Sequence, residues 1–332
     1  MDPLTHAATG LFLSRAGLKR FTPQATAILV LAAMAPDIDI VTAAGGSLNY
    51  LHYHRHLTHS LLAMPVMAIL PVAVVRLAGR KAVNWRGAFL IALAAVATHL
   101  LLDLTNVYGI RLLLPFSAKW LQLGWTSVVD LWIWGALFLG IAAPFLARLV
   151  GSEISSGARK ERHHGRGFAI FALLFLLLYN CGRGVLHARA AAMLDSRVYR
   201  QAAPLRVVAA PDPVDPLRWR GVVETRDFYA DAAIDLTQDF DPAQAVIFHK
   251  PEADPALDAA RRTPVFQTFL QFSQYPLWQI SPVAEPEGGK LVEVVDMRFG
   301  TPLQPSFMAS AIVDARNQVV NASFQFGRLH PR

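Results

Sequence analysis

The sequence predicts an α-helical polytopic membrane bundle, with about five spanning helices plus a short N-terminal helix, followed by a small α+β soluble domain. Three observations carry this. Of the 332 residues 54% are apolar and only 17% are charged, an unusual balance for a soluble chain. The apolar residues concentrate before residue 190, in runs close to the ~20 residues a helix needs to cross hydrocarbon. From about Ala188 prolines and charges become frequent, and short alternating runs replace the long apolar ones. The expected division is a membrane-embedded domain over residues 1–190 and an extracytoplasmic α+β domain over 191–332.

The short N-terminal segment, roughly Pro3–Gly17, is too short to cross unaided. The expected spans are Gln24–Ala44, interrupted by Pro36-Asp37-Ile38-Asp39, then Leu61–Leu77, Gly87–Leu104, Val128–Val150 and Gly167–Leu186. Basic residues orient them. Arg15, Lys19 and Arg20 form one cluster, and Arg76, Arg80, Lys81 and Arg86 a second. Arg148, Arg159, Lys160, Arg162 and Arg166 form a third. The alternate loops, Gly45–Ser60 and Asn106–Ser127, carry only Arg55, Arg111 and Lys119. Positive residues stay on the cytoplasmic side, so the three clusters are expected to face the cytoplasm. Trp120, Trp125, Trp132, Tyr50, Tyr53 and Tyr108 then gather at the opposite rim as interfacial aromatics.

A net charge of +7 admits an anionic partner. The basic residues nevertheless sit in short clusters between apolar runs, so membrane lipid is expected and nucleic acid is not. Cys181 is the single cysteine, which rules out an intrachain disulfide and any thiolate zinc site. No signal peptide of the usual build is expected, since no basic stretch precedes the first apolar run. In the soluble part Gly221–Thr225, Lys290–Val295, Phe307–Val313 and Val319–Phe326 read as strands of a mostly antiparallel sheet, with a turn at Ala315–Gln318. Asp258–Ser273 reads as its main helix.

Ionisable groups inside membrane spans are costly and point to function. His99 and Asp103 stand four apart on an apolar helix, on one face and one turn apart. Alone, that is also the spacing of a buried pair knitting helices together. Asp37 and Asp39 interrupt another span beside Pro36, and irregular backbone at membrane depth survives where it lines a cavity or meets protein. The stretch His54-Arg55-His56-Leu57-Thr58-His59-Ser60 adds three histidines, with His52 just before it, and Thr5-His6 adds one more. Depth ties these together. His6 lies 13 residues before Lys19, Pro36 lies 13 after Pro23, and His99 lies 13 after Arg86. At ~1.5 Å per residue each sits about 20 Å from the cytoplasmic face. His59 enters that level from the outer loop, and Asp130 starts the fourth full span there.

Imidazole and carboxylate without thiolate suit zinc, with manganese or iron as the other divalent ions this donor set accepts. One or more such ions would polarise a phosphoryl or acyl group and make water acidic near neutral pH. From the residues alone the expected ligands are His6, Asp37, Asp39, His59, His99 and Asp103, with the choice among His52, His54 and His56 open.

At these residues the chain resembles the YdjM-type family of inner-membrane metal-dependent hydrolases, also described as LexA-binding. The family pattern runs Thr-His, Pro-Asp-x-Asp, His-Arg-x-x-Thr-His-Ser and His-x-x-x-Asp, followed by a Gly and a Leu-rich Pro-Phe segment. Here these are Thr5-His6, Pro36–Asp39, His54–Ser60, and His99 with Asp103. Gly109–Phe116 and the Asp130 segment also fit, so the motifs cover about residues 1–140. Phe272–Pro276 and Val295–Phe299 resemble longer members more loosely. His56 departs from the pattern, standing where the family has glycine. Helical spacing would group His52, His56 and His59, whereas the family pattern favours His54 and His59, and by the resemblance His54 joins the expected ligands.

The resemblance implies a multi-pass protein of the bacterial inner membrane that hydrolyses its substrate with a bound metal. A site opening to the outer leaflet suggests a phospholipid or lipid-linked phosphoester, with Arg55 as an anion clamp and Asp130 as general base or orienting group. Two other classes compete. A divalent-metal transporter would need access from both faces, yet every candidate ligand lies in the outer half. A non-catalytic regulatory membrane protein would follow from the LexA association, but the soluble domain is expected on the side away from the cytosol.

Overall fold

Alanine and glycine on the apolar segments decide how closely the helices of the first half approach. The computed structural model describes residues 1–79, 83–154 and 164–327. Helix α1, Pro3–Ala16, starts where the Asp2 side chain accepts from the amides of Leu4 and Thr5, and ends at Gly17 with φ 146°. It crosses α2, Ala25–Met34, at Gly10, where a Cβ would come 2.6 Å from the Leu29 carbonyl oxygen. Any larger residue there would push the two helices apart.

A 3-10 helix, Ala35–Gly45, continues α2. Then come α3, Ser47–Tyr53, and α4, Met64–Ala78. Helix α5, Trp85–Thr105, is capped by Asn84 through the Gly87 amide. Helices α6, Leu131–Ile154, and α7, His164–Asp195, follow. Ile28, Leu29, Ala32, Ala92, Ala95 and Val96 form the buried seam of α2 and α5, with Ala68 and Val72 of α4. The opposite faces expose Leu31, Leu70, Leu90, Leu101 and Leu139, so these helices are apolar outside as well as inside, as lipid-facing helices are.

Ala25–Gly45, Trp85–Thr105 and Gly165–Asp195 are long and apolar enough to cross a membrane. Ser47–His59 and Met64–Ala78 pass the same test only as a pair bent by 90°. The described residues therefore hold three candidate spans, or four counting the bent pair, where the sequence suggested about five. The Leu61–Leu77 run is one arm of the bent pair, and the Val128–Val150 run lies in α6, whose fully described part, Leu131–Leu146, is apolar. Arg80, Lys81, Arg159, Lys160 and Arg162 of the basic clusters lie outside the described residues.

The chain forms two units. The first comprises Met1–Asp39, Arg55–His187 and Pro211–Pro216, and is helical. The second comprises Ile40–His54, Ala188–Ala210 and Leu217–Arg332, so it includes a segment from within the membrane half. In it β1 (Arg206–Pro211), β2 (Arg218–Glu224), β3 (Phe228–Asp235) and β4 (Val246–His249) form one sheet in that order. The others are β5 (Pro276–Pro282), β6 (Lys290–Asp296), β7 (Gly300–Thr301), β8 (Gln304–Pro305), β9 (Phe307–Val313) and β10 (Val319–Phe326). A second sheet has the order β10-β9-β6-β5 with antiparallel neighbours. Val222, Tyr229, Leu277, Val295 and Met308 share a buried core. The helix expected over Asp258–Ser273 is two helices, α8 (Pro255–Arg261) and α9 (Pro264–Phe272). Pro264 breaks the run because it has no amide to donate, and Thr263 caps the new start through the Phe266 amide.

Candidate metal centre

Proline 36 prepares the site. Where α2 passes into the 3-10 helix, the amide bonding the Ala33 carbonyl would come from residue 36, and proline has none. The Ala33 carbonyl instead accepts from Nδ1 of His99 at 2.7 Å. A carbonyl only accepts, so Nδ1 carries the proton and Nε2 presents a lone pair. One turn along α5, Oδ2 of Asp103 lies 3.3 Å from that Nε2.

His59 enters from the short 3-10 turn Leu57–His59. Its Nδ1 lies 3.3 Å from Oδ2 of Asp39, and its Nε2 faces inward. That Nε2 is 3.2 Å from Nε2 of His99, 3.3 Å from Oδ2 of Asp103 and 3.4 Å from Oδ1 of Asp37. Oδ1 of Asp37 is 3.7 Å from Nε2 of His99. The four ligand atoms of Asp37, His59, His99 and Asp103 lie within 4.8 Å of one another.

These separations fit a metal ion. Zinc bonds of ~2.0–2.1 Å in a tetrahedron put neighbouring ligand atoms ~3.3 Å apart. With the outer nitrogen of each ring protonated, the two Nε2 lone pairs would face a shared cation. Oδ2 of Asp37 and Oδ2 of Asp103 are also buried without a hydrogen bond, which costs free energy unless something pairs with them. Each histidine holds its outer nitrogen against an oxygen, the arrangement that fixes the ring of a metal-binding histidine.

Residues 1–190 match the family model described as YdjM inner membrane protein, more than half of the 332 residues. The chain belongs to the YdjM family. Residues 255–329 also match the YfhP C-terminal alpha/beta plait domain. The chain is 32% identical over 152 residues to the Bacillus subtilis (strain 168) protein described as "Uncharacterized protein YfhP". That match covers 43% of this chain and 46% of the relative, so the chain spans about half the length of the curated relative it matches. No solved structure matches it. Membership of an inner-membrane family and the apolar helices together fit a membrane location.

Of the residues expected at the YdjM centre, the structure gathers Asp37, His59, His99 and Asp103 into one group. His6 lies beside it. Its ring stacks on His99 with centroids 3.8 Å apart, its Nε2 is 3.4 Å from Oδ1 of Asp103, and both ring nitrogens are buried without a hydrogen bond. Asp39 points to the outer nitrogen of His59 rather than into the group, and accepts from the Arg55 amide at 2.8 Å and the Thr58 hydroxyl at 3.0 Å. His54 is outside the group, in the second unit, with its ring stacked on Tyr50 at 4.5 Å. His52 lies edge-on to Tyr53. Helical spacing does not run on from His52 to His56 and His59, because α3 ends at Tyr53 and His54 is extended.

Arg55 is buried and donates to Oδ1 of Asp103 at 3.0 Å and to Oδ1 of Asn106 at 3.2 Å. It also donates to the carbonyls of Gly109 and Met1, so its guanidinium is turned into the protein. The Met1 amino group touches the same Asp103 oxygen. Asp130 is also outside the group. Its Oδ1 accepts from the Trp132 and Ile133 amides, which caps α6, and both its oxygens accept from the Tyr179 hydroxyl. Sequence reasoning missed Asn106, whose Oδ1 also accepts from the Tyr108 and Gly109 amides. An asparagine three residues past Asp103 at a helix end, followed by Gly109, is a turn signal.

Proposed function

We propose that this chain is a membrane-bound metal-dependent hydrolase acting on a phosphoester or lipid-linked substrate at the outer leaflet. The observation that carries the reading is the pair of Nε2 atoms of His59 and His99, 3.2 Å apart, closed by Asp37 and Asp103. Asp37, His59, His99 and Asp103 would hold the ion, with His6 beside them. Zinc suits the donors best, and manganese or iron are the alternatives. A bound divalent ion supplies Lewis acidity, which polarises a phosphoryl oxygen and makes water a better nucleophile near neutral pH.

The protein's own residues do the positioning. Ala33 and Asp39 fix the two imidazoles, and Arg55 offsets the charge on one oxygen of Asp103 while the other stays toward the group. Substrate approach is proposed from the Asp37 side, since its side chain is 14% exposed while those of His59, His99 and Asp103 are closed off. Ile38 beside it is exposed, and an apolar rim next to a metal-binding carboxylate supports a lipidic substrate. Asp130, capping α6 and bonded to Tyr179, has a positioning part in this reading. In the proposed topology the basic clusters face the cytoplasm and the C-terminal domain is extracytoplasmic. Reporter fusions at Gly79 and at the C-terminus should then report opposite sides.

The activity test uses the full chain in detergent, stripped with chelator and reloaded with zinc, on a panel of lipid phosphoesters. Zinc-dependent phosphate release is the expected result. Metal uptake with ion flux across liposomes and no cleavage of any substrate would favour a divalent-metal transporter.

A further inference from the structure

Beside His59 the first unit exposes large apolar side chains on two short turns. Leu57 opens the 3-10 turn that His59 closes, and Leu57, Leu61 and Leu62 are exposed. The loop at residues 111–117 lies against this segment. The Arg111 amide donates to the Arg55 carbonyl at 3.3 Å, and the Leu61 amide to the Leu112 carbonyl at 3.0 Å. These two bonds bracket His59. The loop adds Leu113, also exposed, and Phe116, which is 87% exposed. All of these residues belong to the same unit as the metal centre.

Contiguous exposed apolar groups mark an interaction or membrane surface. The backbone beneath these groups is suited to a medium poor in water. The Leu114 amide donates to the Arg111 carbonyl, and the Phe116 and Ser117 amides to that of Leu113. Pro115 between them has no amide. In the other turn the amides of His59, Ser60, Leu61, Ala63 and Met64 all donate to carbonyls. Taking an amide out of water is costly unless it is bonded in this way, whereas a loop in water could leave its amides to solvent.

Continuity identifies what covers the surface. Helix α4 begins at Met64, two residues past Leu62, and exposes Val66, Ile69 and Leu70, so the two turns extend its lipid-facing side. Lys119 is exposed just beyond the loop, and its long stem lets the ammonium reach lipid phosphates while the loop stays in the apolar layer. Towards the centre, the Thr58 hydroxyl donates to Oδ2 of Asp39 at 3.0 Å. The exposed Ile38 therefore joins the same rim, beside Asp37.

We infer that residues 57–62 and 113–116 form one apolar lip set into the headgroup–acyl boundary of the bilayer. The substrate of the metal centre is then a lipid with long acyl chains, which reaches Asp37 from the side along this lip. The substrate class rests on the proposed hydrolase; the position of the lip does not.

Spin labels on the full chain test the lip, in vesicles of phosphatidylglycerol and phosphatidylethanolamine. Cys181→Ser removes the single native thiol. Leu62→Cys, Leu113→Cys, Phe116→Cys and Lys119→Cys are then labelled one at a time, all at exposed positions. Oxygen concentrates in hydrocarbon and a nickel chelate in water, so the ratio of their collisions with the label reports depth. The ratio should be higher at Leu62, Leu113 and Phe116 than at Lys119. A ratio no higher at those three would overturn the inference, whatever the protein cleaves. The second arm offers zinc-loaded protein a dioleoyl lipid phosphoester in vesicles and its short-chain, water-soluble counterpart. The wild type should prefer the long chains. Leu62→Asn/Phe116→Asn should raise KM for them about tenfold, a modest share of what burying two large apolar side chains contributes. Equal kcat/KM for both chain lengths would overturn the lateral route and leave hydrolysis standing. Cleavage of neither would overturn the hydrolase reading and the substrate class with it, while the labels alone decide the lip.

Discussion

Nε2 of His99 lies 3.2 Å from Nε2 of His59, and Nδ1 of His99 donates to the Ala33 carbonyl at 2.7 Å. The proton is therefore on the outer nitrogen of His99, and its lone pair faces the other ring. With the His59 proton also on its outer nitrogen, both lone pairs would face a shared cation. Zinc should accordingly raise the thermal unfolding temperature of the stripped wild type, since a ligand that binds only the folded state stabilises it. It should leave that of His99→Ala unchanged. Unfolding curves in detergent with and without zinc check this.

Pro36 keeps the Ala33 carbonyl available to His99. Pro36→Ala would supply an amide that competes for the same carbonyl, freeing the imidazole to turn. Metal affinity is expected to fall about ten- to a hundredfold, as when an orienting partner of a ligand is lost. Helix content, read by circular dichroism, should stay level or rise. Competition titration against a chromophoric chelator gives the affinity.

Asp39 acts through the outer nitrogen of His59, 3.3 Å away, rather than on the ion. Asp39→Asn keeps the size of the side chain and removes its charge, so it should weaken metal binding by about the same ten- to a hundredfold without changing how many ions bind. Asp130→Ala gives a contrasting outcome. It removes the α6 cap, which costs about 0.5–2 kcal/mol, while metal content stays at the wild-type level. Elemental analysis of both variants beside a denaturation curve separates the two roles.

In the second unit, burial by itself would raise the Glu224 carboxyl. The hydrogen bonds from Lys250 and Arg206 outweigh it and hold the group below its ordinary value. Folding thus favours the ionised form. Its contribution is complete above the unfolded value, about 4.3, and is lost as pH falls through the lower folded value. The denaturant midpoint of the C-terminal domain should drop over that acidic range. Glu224→Gln should flatten that part of the profile.

Helical periodicity made His99 and Asp103 legible as neighbours on one face of an apolar helix, while that spacing alone did not separate a buried pair from two ligands. Pro36-Asp37-Ile38-Asp39 was legible as a break, but the direction of each carboxylate was not. In a 3-10 helix the two point differently, and Asp39 turns to His59. Both groupings kept His59, but spacing could not choose among His52, His54 and His56, since the chain leaves the helix at Tyr53 and a 3-10 turn brings His59 inward. Asp130 before an apolar run carried a cap signal that its depth in the membrane half obscured. The strands over Lys290–Val295, Phe307–Val313 and Val319–Phe326 followed from alternation, and Pro264 marked the helix break that the apolar pattern hid. The bent pair at Ser47–His59 and Met64–Ala78 had no signal in hydrophobicity, which records length and not direction.

The most direct measurement is the metal content of the full chain purified in detergent, wild type beside the His59→Ala/His99→Ala double variant, by inductively coupled plasma mass spectrometry. About one divalent ion per wild-type chain is expected from a four-ligand group, with little or none in the variant. No bound metal in the wild type, or equal metal in both, would contradict the centre.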